Sequence, residues 1–404
     1  MPGFPGLKKR SERVRISIRG EMNNKTKLIS VFLSVFIMLV SCGLKQDKVE
    51  RKIEDGVEVV LNHIEPYKIR GESTNFTLEK ELFIDFARDD IGEMGIANAT
   101  DFEVDSKGNI YFFYSNKDGD MIFKFDGHGN FVTSFGPKGQ GPGEMQFIIW
   151  SGIDSQDNLI ISDNGNRKVL FFNPDGDLVK ETRFPPNVGS IFPLDNGNYI
   201  SLSNKSIDDK VHWVFSISDS KFEEIKVLDT QDTEPYDIDA QGVRGVNMVP
   251  LFKRKISKNY IYVISEDRGY EILRYDLEGN LAQRIRKEYE PVEVSDKVKQ
   301  ERKERYDQYG LKFWYPKYWL PICDFFLDDK GQIYVMTFEK GENPREFMYD
   351  IFNPQGIYIA RKSLDIYFEG DRSVCAKSIR NRLYFFQEDK DGFRKFYVYK
   401  MRWK

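Results

Sequence analysis

A 14% aromatic content, a near absence of cysteine pairs and one strand–turn pattern repeated six times predict an all-β chain. Rings and β-branched side chains suit a pleated, half-buried surface. Cys42, Cys323 and Cys375 make neither a disulfide scaffold nor a Cys/His zinc spacing. The architecture this predicts is a six-bladed β-propeller of four-stranded antiparallel blades, with a short helical insertion between blades four and five.

The N-terminus comes first. From Met22, "MNNKTKLIS" is a short basic region, and 28–40 is an uncharged, mostly apolar run ending in "LVSC". Thirteen residues are too few to span a bilayer and right for a signal-peptide core. Leu39-Val40-Ser41-Cys42 resembles a bacterial lipobox, which implies acylation of Cys42 and cleavage before it. Residues 1–41 are therefore expected to be a signal peptide, of which 1–21 is an upstream start-site extension. Residues 42–57 read as a charged, lipid-anchored tether and 58–404 as the propeller. Without 1–41, which hold eight Lys/Arg and two Asp/Glu, the formal net charge falls from −4 to −10. So acidic a protein, with no basic block, is a poor nucleic-acid binder. The expected location is the cell envelope; since Gly43 and Leu44, not an acidic residue, directly follow Cys42, this is the outer membrane in a host that has one.

Six copies of the repeat follow. The clearest start at Asp101 ("DFEVDSKGNIYFF"), Ser151 ("SGIDSQDNLIISD") and Asp324 ("DFFLDDKGQIYVMTF"); weaker ones start at Ser190, Lys253 and Ala376. Each has period-2 strands and Gly/Asn/Asp turns, and spacings of about 40 to 50 residues between well-matched copies suit one propeller blade. A lone meander cannot bury both of its faces, so the copies stack around an axis. The last copy lacks a fourth strand, and "EKELFIDFA" (79–87) is expected to supply it beside 396–401, closing the ring.

"GPKGQGPGEM" (136–145) has the glycines of a phosphate loop but no Lys-Ser/Thr ending and no helix after it. It reads as a crossover between blades. "GPKGQGPGEM…SGIDSQDNLIISDNGNRKVLFFNPDGDLV" is similar to the NHL repeat, and 58–403 resembles the six-bladed propeller lipoproteins of anaerobic, mostly diderm bacteria. The resemblance implies the fold; substrates in that family are generally undefined.

Short turns are expected on one face of the disc and long loops, 136–150, 230–250 and 286–321, on the other, where binding concentrates. In the longest, Ser295 is placed to cap a short helix ending near Gly310. Trp314, Tyr315 and Trp319 follow it. These rings are candidates to stack on a sugar, peptide or aromatic ligand, or else to staple the insertion to the propeller. Trp150 is a further candidate. Asp163, Asn164 and Arg167 of "SDNGNR" are candidates for a polar rim; the alternative is ordinary turn chemistry for the first two and pairing with a neighbouring blade for Arg167.

Three histidines, His63, His128 and His212, make a three-His metal site unlike this chain, and no nucleophile elbow is present. Asp105, Asp154 and Asp328 recur at strand-to-turn junctions, where Asx turns explain them without metal. No catalytic residues, metal site or cofactor are therefore assigned. The reading is a non-catalytic scaffold for a protein, carbohydrate or peptide ligand, anchored to the membrane. The alternative is a calcium-dependent lactonase, esterase or lyase-like propeller, which requires carboxylates converging at the channel mouth. Cys323 and Cys375 are expected as buried free thiols.

Overall fold

Alternating aromatic and β-branched runs become strands, and Asx side chains end them. The computed structural model describes residues 49–404 except 97, 98, 100, 115–118, 186, 187, 189, 209, 233–251, 258, 266, 267, 308–316, 344, 367–374 and 389–393. β1 (Glu50–Glu54) and β2 (Val57–Asn62) form a hairpin; β3 (Phe76–Asp85) and the single-turn helix α1 (Asp89–Gly92) follow. Blade one is β4–β7 (Asp101–Val104, Ile110–Phe113, Asp120–Phe125, Phe131–Pro137) and blade two β8–β11 (Ile148–Ile153, Leu159–Asp163, Lys168–Phe172, Leu178–Arg183). Blade three is β12–β15 (Ser190–Pro193, Tyr199–Ile207, Lys210–Ser218, Glu224–Asp232) and blade four β16–β19 (Phe252–Ile256, Ile261–Ser265, Glu271–Tyr275, Leu281–Lys287). After helix α2 (Asp296–Asp307), blade five is β20–β23 (Asp324–Leu327, Ile333–Lys340, Phe347–Phe352, Tyr358–Leu364) and blade six begins with β24–β26 (Ala376–Ile379, Arg382–Glu388, Arg394–Trp403). The chain is a six-bladed propeller, nearly all β. All six repeats read from the sequence coincide with blades.

The turns share one chemistry. Oδ1 of Asp105 accepts the N–H groups of Lys107 and Asn109 at 2.9 and 2.8 Å. Asp154 and Asp328 repeat this two and four residues on, as expected. Asp126, Asp219 and Asp276 do the same. Asn173 and Asn353 use an amide oxygen. Each side chain satisfies two N–H groups that the turn would otherwise leave open.

Ring closure runs as expected. β3 pairs antiparallel with β26, with Ile84 opposite Phe396 and Leu78 opposite Met401, and becomes the outer strand of blade six. The seam is sealed by rings: Phe396 meets Phe102 and Phe112 edge-on, with centroids 4.8 and 4.9 Å apart. Such geometry suits the aromatic quadrupole.

The tether expected over 42–57 is corrected from Glu50 onward. β2 lies parallel to β19, Glu58 opposite Gln283 and Asn62 opposite Lys287, so blade four has six strands. Asn62 is the rivet. Its Nδ2 donates to the carbonyls of Arg286 (3.0 Å) and Gly356 (3.1 Å), and its Oδ1 accepts the Tyr358 N–H (2.8 Å). β1 reads as a solvated segment because it is the outer edge: its pairing is backbone, and Ile53 is 69% exposed. Cys42 and the signal peptide expected over 1–41 lie outside the described residues.

Both remaining cysteines are free. Cys323 is buried just before β20, whereas Cys375, expected buried too, is half-buried just before β24.

Candidate functional site

Calling the end at which the innermost strands begin "upper" separates two unlike faces. The lower face is stitched from blade to blade. Ser106 donates through N and Oγ to Asp157 of the next blade (2.9 and 2.5 Å), Asn196 donates to the Leu277 carbonyl, and Arg380 N–H donates to Asp329. The turns between third and fourth strands dock on the preceding blade. Gly356 (φ +76°) lies so close that an added Cβ would stand 2.7 Å from Ile285 Cγ1, and at Gly176 (φ +93°) it would stand 2.7 Å from the Phe135 ring. Only glycine offers both the left-handed backbone and the missing side chain.

The upper face carries the longer connections. In "GPKGQGPGEM" the backbone is spent on the protein's own groups. Gly141 N–H donates to Glu144 (2.7 Å), Gly143 N–H to Glu181 (3.2 Å), and fully buried Lys168 donates to the Gly141 carbonyl (2.8 Å) and Glu181 (3.0 Å). The loop is the crossover from blade one to blade two. Burial pushes the Glu181 carboxyl up, but Lys168 and the Gly143 N–H together hold it below the usual carboxylate range.

The candidate ligand residues separate here. Asp163 is fully buried and not on a rim: its carboxylate accepts N–H groups from Gln146 (3.1 Å), Phe147 (2.9 Å) and Gly165 (3.0 Å), fastening the incoming crossover. Arg167, at φ +57°, donates to the Phe184 carbonyl and lies over the Phe184 ring. Asn164 is exposed, its N–H bonded to the Phe147 carbonyl. Trp319 is half-buried and stacks on Phe338, centroids 4.4 Å apart at 7°. Trp314 and Tyr315 lie outside the described residues. Helix α2 begins after Ser295, whose Oγ accepts the Val298 N–H, as the capping signal indicates.

Trp319, Phe338, Tyr289 and Pro321 roof a crevice at the junction of blades four and five. Below them Asp350, fully buried, accepts from Tyr270 (2.8 Å) and Tyr358 (3.0 Å), and Lys287 stands 3.4 Å away. Burial, then the charge of Asp350, pushes the Tyr270 phenol well above its ordinary range. The crevice volume is about 10 Å³, room for a single water. The network is a polar plug centred on Asp350, which Arg361 also meets at 3.3 Å.

The axis is the remaining upper-face feature. Counting back from the residue that closes each first turn, the fourth residue of each blade gives an upper ring: Asp101, Trp150, Ser190, Lys253, Asp324 and Cys375. Two residues further on lies a second: Glu103, Gly152, Phe192, Lys255, Phe326 and Lys377. Charges cross the rings in pairs. Lys253 meets Asp324 at 3.5 Å, Lys377 donates to Glu103, and Glu103 also accepts from Ser151 (3.0 Å). Cys375 Sγ lies 3.4 Å from Asp101, and burial, then that carboxylate, pushes the thiol well up. Among the described residues, no cluster of three or more His, Cys, Asp or Glu is placed to hold a metal. Trp150 sits edge-on to Phe192, centroids 5.0 Å apart, half-buried against two cores between blades.

A family model described as a 6-bladed beta-propeller matches residues 102–240. No curated protein matches the chain. Among solved structures it is similar to a protein of Bacteroides fragilis described as exported (13% identity, 86% of this chain and 99% of that one, TM-score 0.48). It is also similar to a member of the DUF4221 family from Bacteroides vulgatus (12%, 82% and 100%, TM-score 0.48). A third is virginiamycin B lyase from Staphylococcus aureus (10%, 80% and 99%, TM-score 0.39).

Proposed function

We propose that the protein is an exported lipoprotein, anchored through Cys42 in the outer membrane of a diderm host, whose propeller is a non-catalytic binding scaffold working through its upper face. The observation that carries the binding face is the inequality of the two faces. The lower turns use their side chains and glycines on neighbouring blades, while the upper face carries the long crossovers between blades and leaves Asn164, Tyr289 and Tyr318 exposed. Variable loops on a rigid frame are where recognition concentrates. At the axis each carboxylate already has a lysine, thiol or hydroxyl partner, which favours a scaffold over an acid–base catalyst.

The anchor and the binding face are tested separately. Cys42→Ser is expected to abolish metabolic lipid labelling and move the protein out of membrane fractions; unchanged labelling overturns the anchor, and sedimentation with inner-membrane markers overturns the outer-membrane assignment. For binding, full-length protein carrying Trp314→Ala, Tyr315→Ala and Tyr318→Ala is compared with a lower-face Ser106→Ala control in pull-downs from native envelope. Partners lost only with the upper-face changes support the scaffold. Loss only in the control, or turnover of lactones or esters by the purified protein, overturns it.

A further inference from the structure

The second strand position of each blade, three residues before the one that closes its first turn, should face a neighbouring blade and be buried. In five blades it is: Phe102, Ser151, Ile191, Phe325 and Ala376 are all uncharged and at most 6% exposed. In blade four the position is Arg254. It sits in "FKRKI" (β16), so Lys253 and Lys255 flank it on the opposite side of the strand.

Lys253 has Asp324. The other two cations have no such partner. The Arg254 guanidinium lies over the Phe192 ring at 4.4 Å and the Phe215 ring at 5.7 Å. Among the described residues, no carboxylate or carbonyl pairs with it or with the Lys255 ammonium. Burial alone pulls Arg254 down to about 10, with no acid beside it to restore the usual value. Lys255, on the other side of the strand, lies within electrostatic range of the Cys375 thiol. A guanidinium taken partly from water without a counter-charge is costly, and rings return only part of that cost. Among the described residues, no anion meets it.

We propose that the junction of blades three and four beside the axis binds an organic carboxylate: Arg254 holds the carboxylate group, Lys255 adds charge from the other side of the strand, and Trp150, edge-on to Phe192, packs against the ligand's apolar body. A planar carboxylate matches the guanidinium fork, which donates two parallel hydrogen bonds. The charge balance selects a monoanion. The innermost strands carry four cations (Lys253, Arg254, Lys255, Lys377) and three carboxylates (Asp101, Glu103, Asp324), so one negative charge neutralises them. A phosphate dianion overshoots and is repelled by the three acids. The inference deepens the binding-scaffold reading and rests on it.

The test is calorimetric titration of the full-chain protein in detergent with phenylacetate, its neutral amide phenylacetamide, and inorganic phosphate. Phenylacetate is expected to bind saturably and at least about tenfold more tightly than either comparison compound, since a charge-assisted bidentate pair is roughly twice as strong as a neutral contact. Arg254→Met should weaken phenylacetate binding by about tenfold or more, with Arg254→Lys intermediate. Amide or phosphate binding as tight as that of phenylacetate overturns the proposal. So does unchanged binding by a folded Arg254→Met protein, or no phenylacetate binding by the wild type in the millimolar range. The wild-type comparison of acid with amide decides the matter even if Arg254→Met does not fold. Envelope pull-downs that still depend on the upper loops would show the carboxylate site failing while the scaffold reading stands.

Discussion

Replacing Gly356 by alanine should destabilise the propeller far more than replacing Gly197, although both have left-handed backbones. The first cost is shared: an L-residue at φ +76° or +86° pays about 1–2 kcal/mol for its Cβ. At Gly197 nothing lies within 4 Å of that Cβ, so the cost ends there. At Gly356 it stands 2.7 Å from Ile285 Cγ1 and 2.9 Å from both Ile285 Cδ1 and Gln283 Oε1. Relief requires the turn to move off blade four, where the Gly356 carbonyl also accepts from Asn62. Overpacking of this kind adds about 1–3 kcal/mol. The Gly356→Ala loss should therefore reach about 2–5 kcal/mol, exceeding the Gly197→Ala loss by about 2 kcal/mol. In urea, with a slope of about 3 kcal/mol per molar, the two midpoints should differ by roughly 0.7 M. Equal midpoints would refute the claim that these glycines lock one blade to the next.

Deleting 76–85 should unfold the whole ring cooperatively, because it removes the outer strand of blade six and bares the Phe396 seam; a melting curve unchanged in temperature and amplitude would contradict this. By contrast, deletion of 43–49 should leave the melting temperature unchanged, while extending the deletion to 43–62 should lower it through loss of the Asn62 hydrogen bonds, and equal melting of the two would show that the hairpin adds nothing. Glu181 gives a pH prediction. Its carboxyl is held low in the fold, so its contribution is present above the unfolded-state pKa of about 4.3 and is lost as pH falls through the folded pKa. Glu181→Gln should flatten that acid limb of the urea-stability profile; a profile parallel to wild type would count against the Lys168–Glu181 contact.

What was legible in the chain was what is local. Period-2 strands and Asx turns act within five residues of sequence, so Asp105, Asp154 and Asp328 declared their roles and every blade could be counted. β3 was legible for a different reason: the last repeat was short of a strand, and one alternating segment stood upstream. The β1–β2 hairpin was legible only in part: β2 carries apolar Val57, Val59, Val60 and Leu61, but β1 is polar and nothing local marks β19, some 225 residues away, as the parallel partner of β2. Asp163 looked like an exposed turn residue beside Asn164 and Gly165; its burial comes from the crossover at Gln146 and Phe147 arriving over it, a long-range event with no local mark. Arg254 did leave a trace. It puts a charge at a strand position whose five counterparts are uncharged, and that break is the feature to look for.

The pairing of Ile84 with Phe396 also fixes a schedule. At about 5–20 residues per second of synthesis, the first strand of the closing pair is made roughly 15–60 s before the second. Throughout that interval β3 is a strand with no partner, ten residues long, carrying Leu82, Phe83 and Ile84 in succession. Its first six residues read "FTLEKE", placing Glu79, Lys80 and Glu81 where an intruding strand would have to pair. Charges at such positions discourage association with the wrong edge. In the finished ring the same residues are put to use, Glu79 bonding Arg402 and Glu81 bonding Arg382, so the guard posted during synthesis becomes part of the clasp.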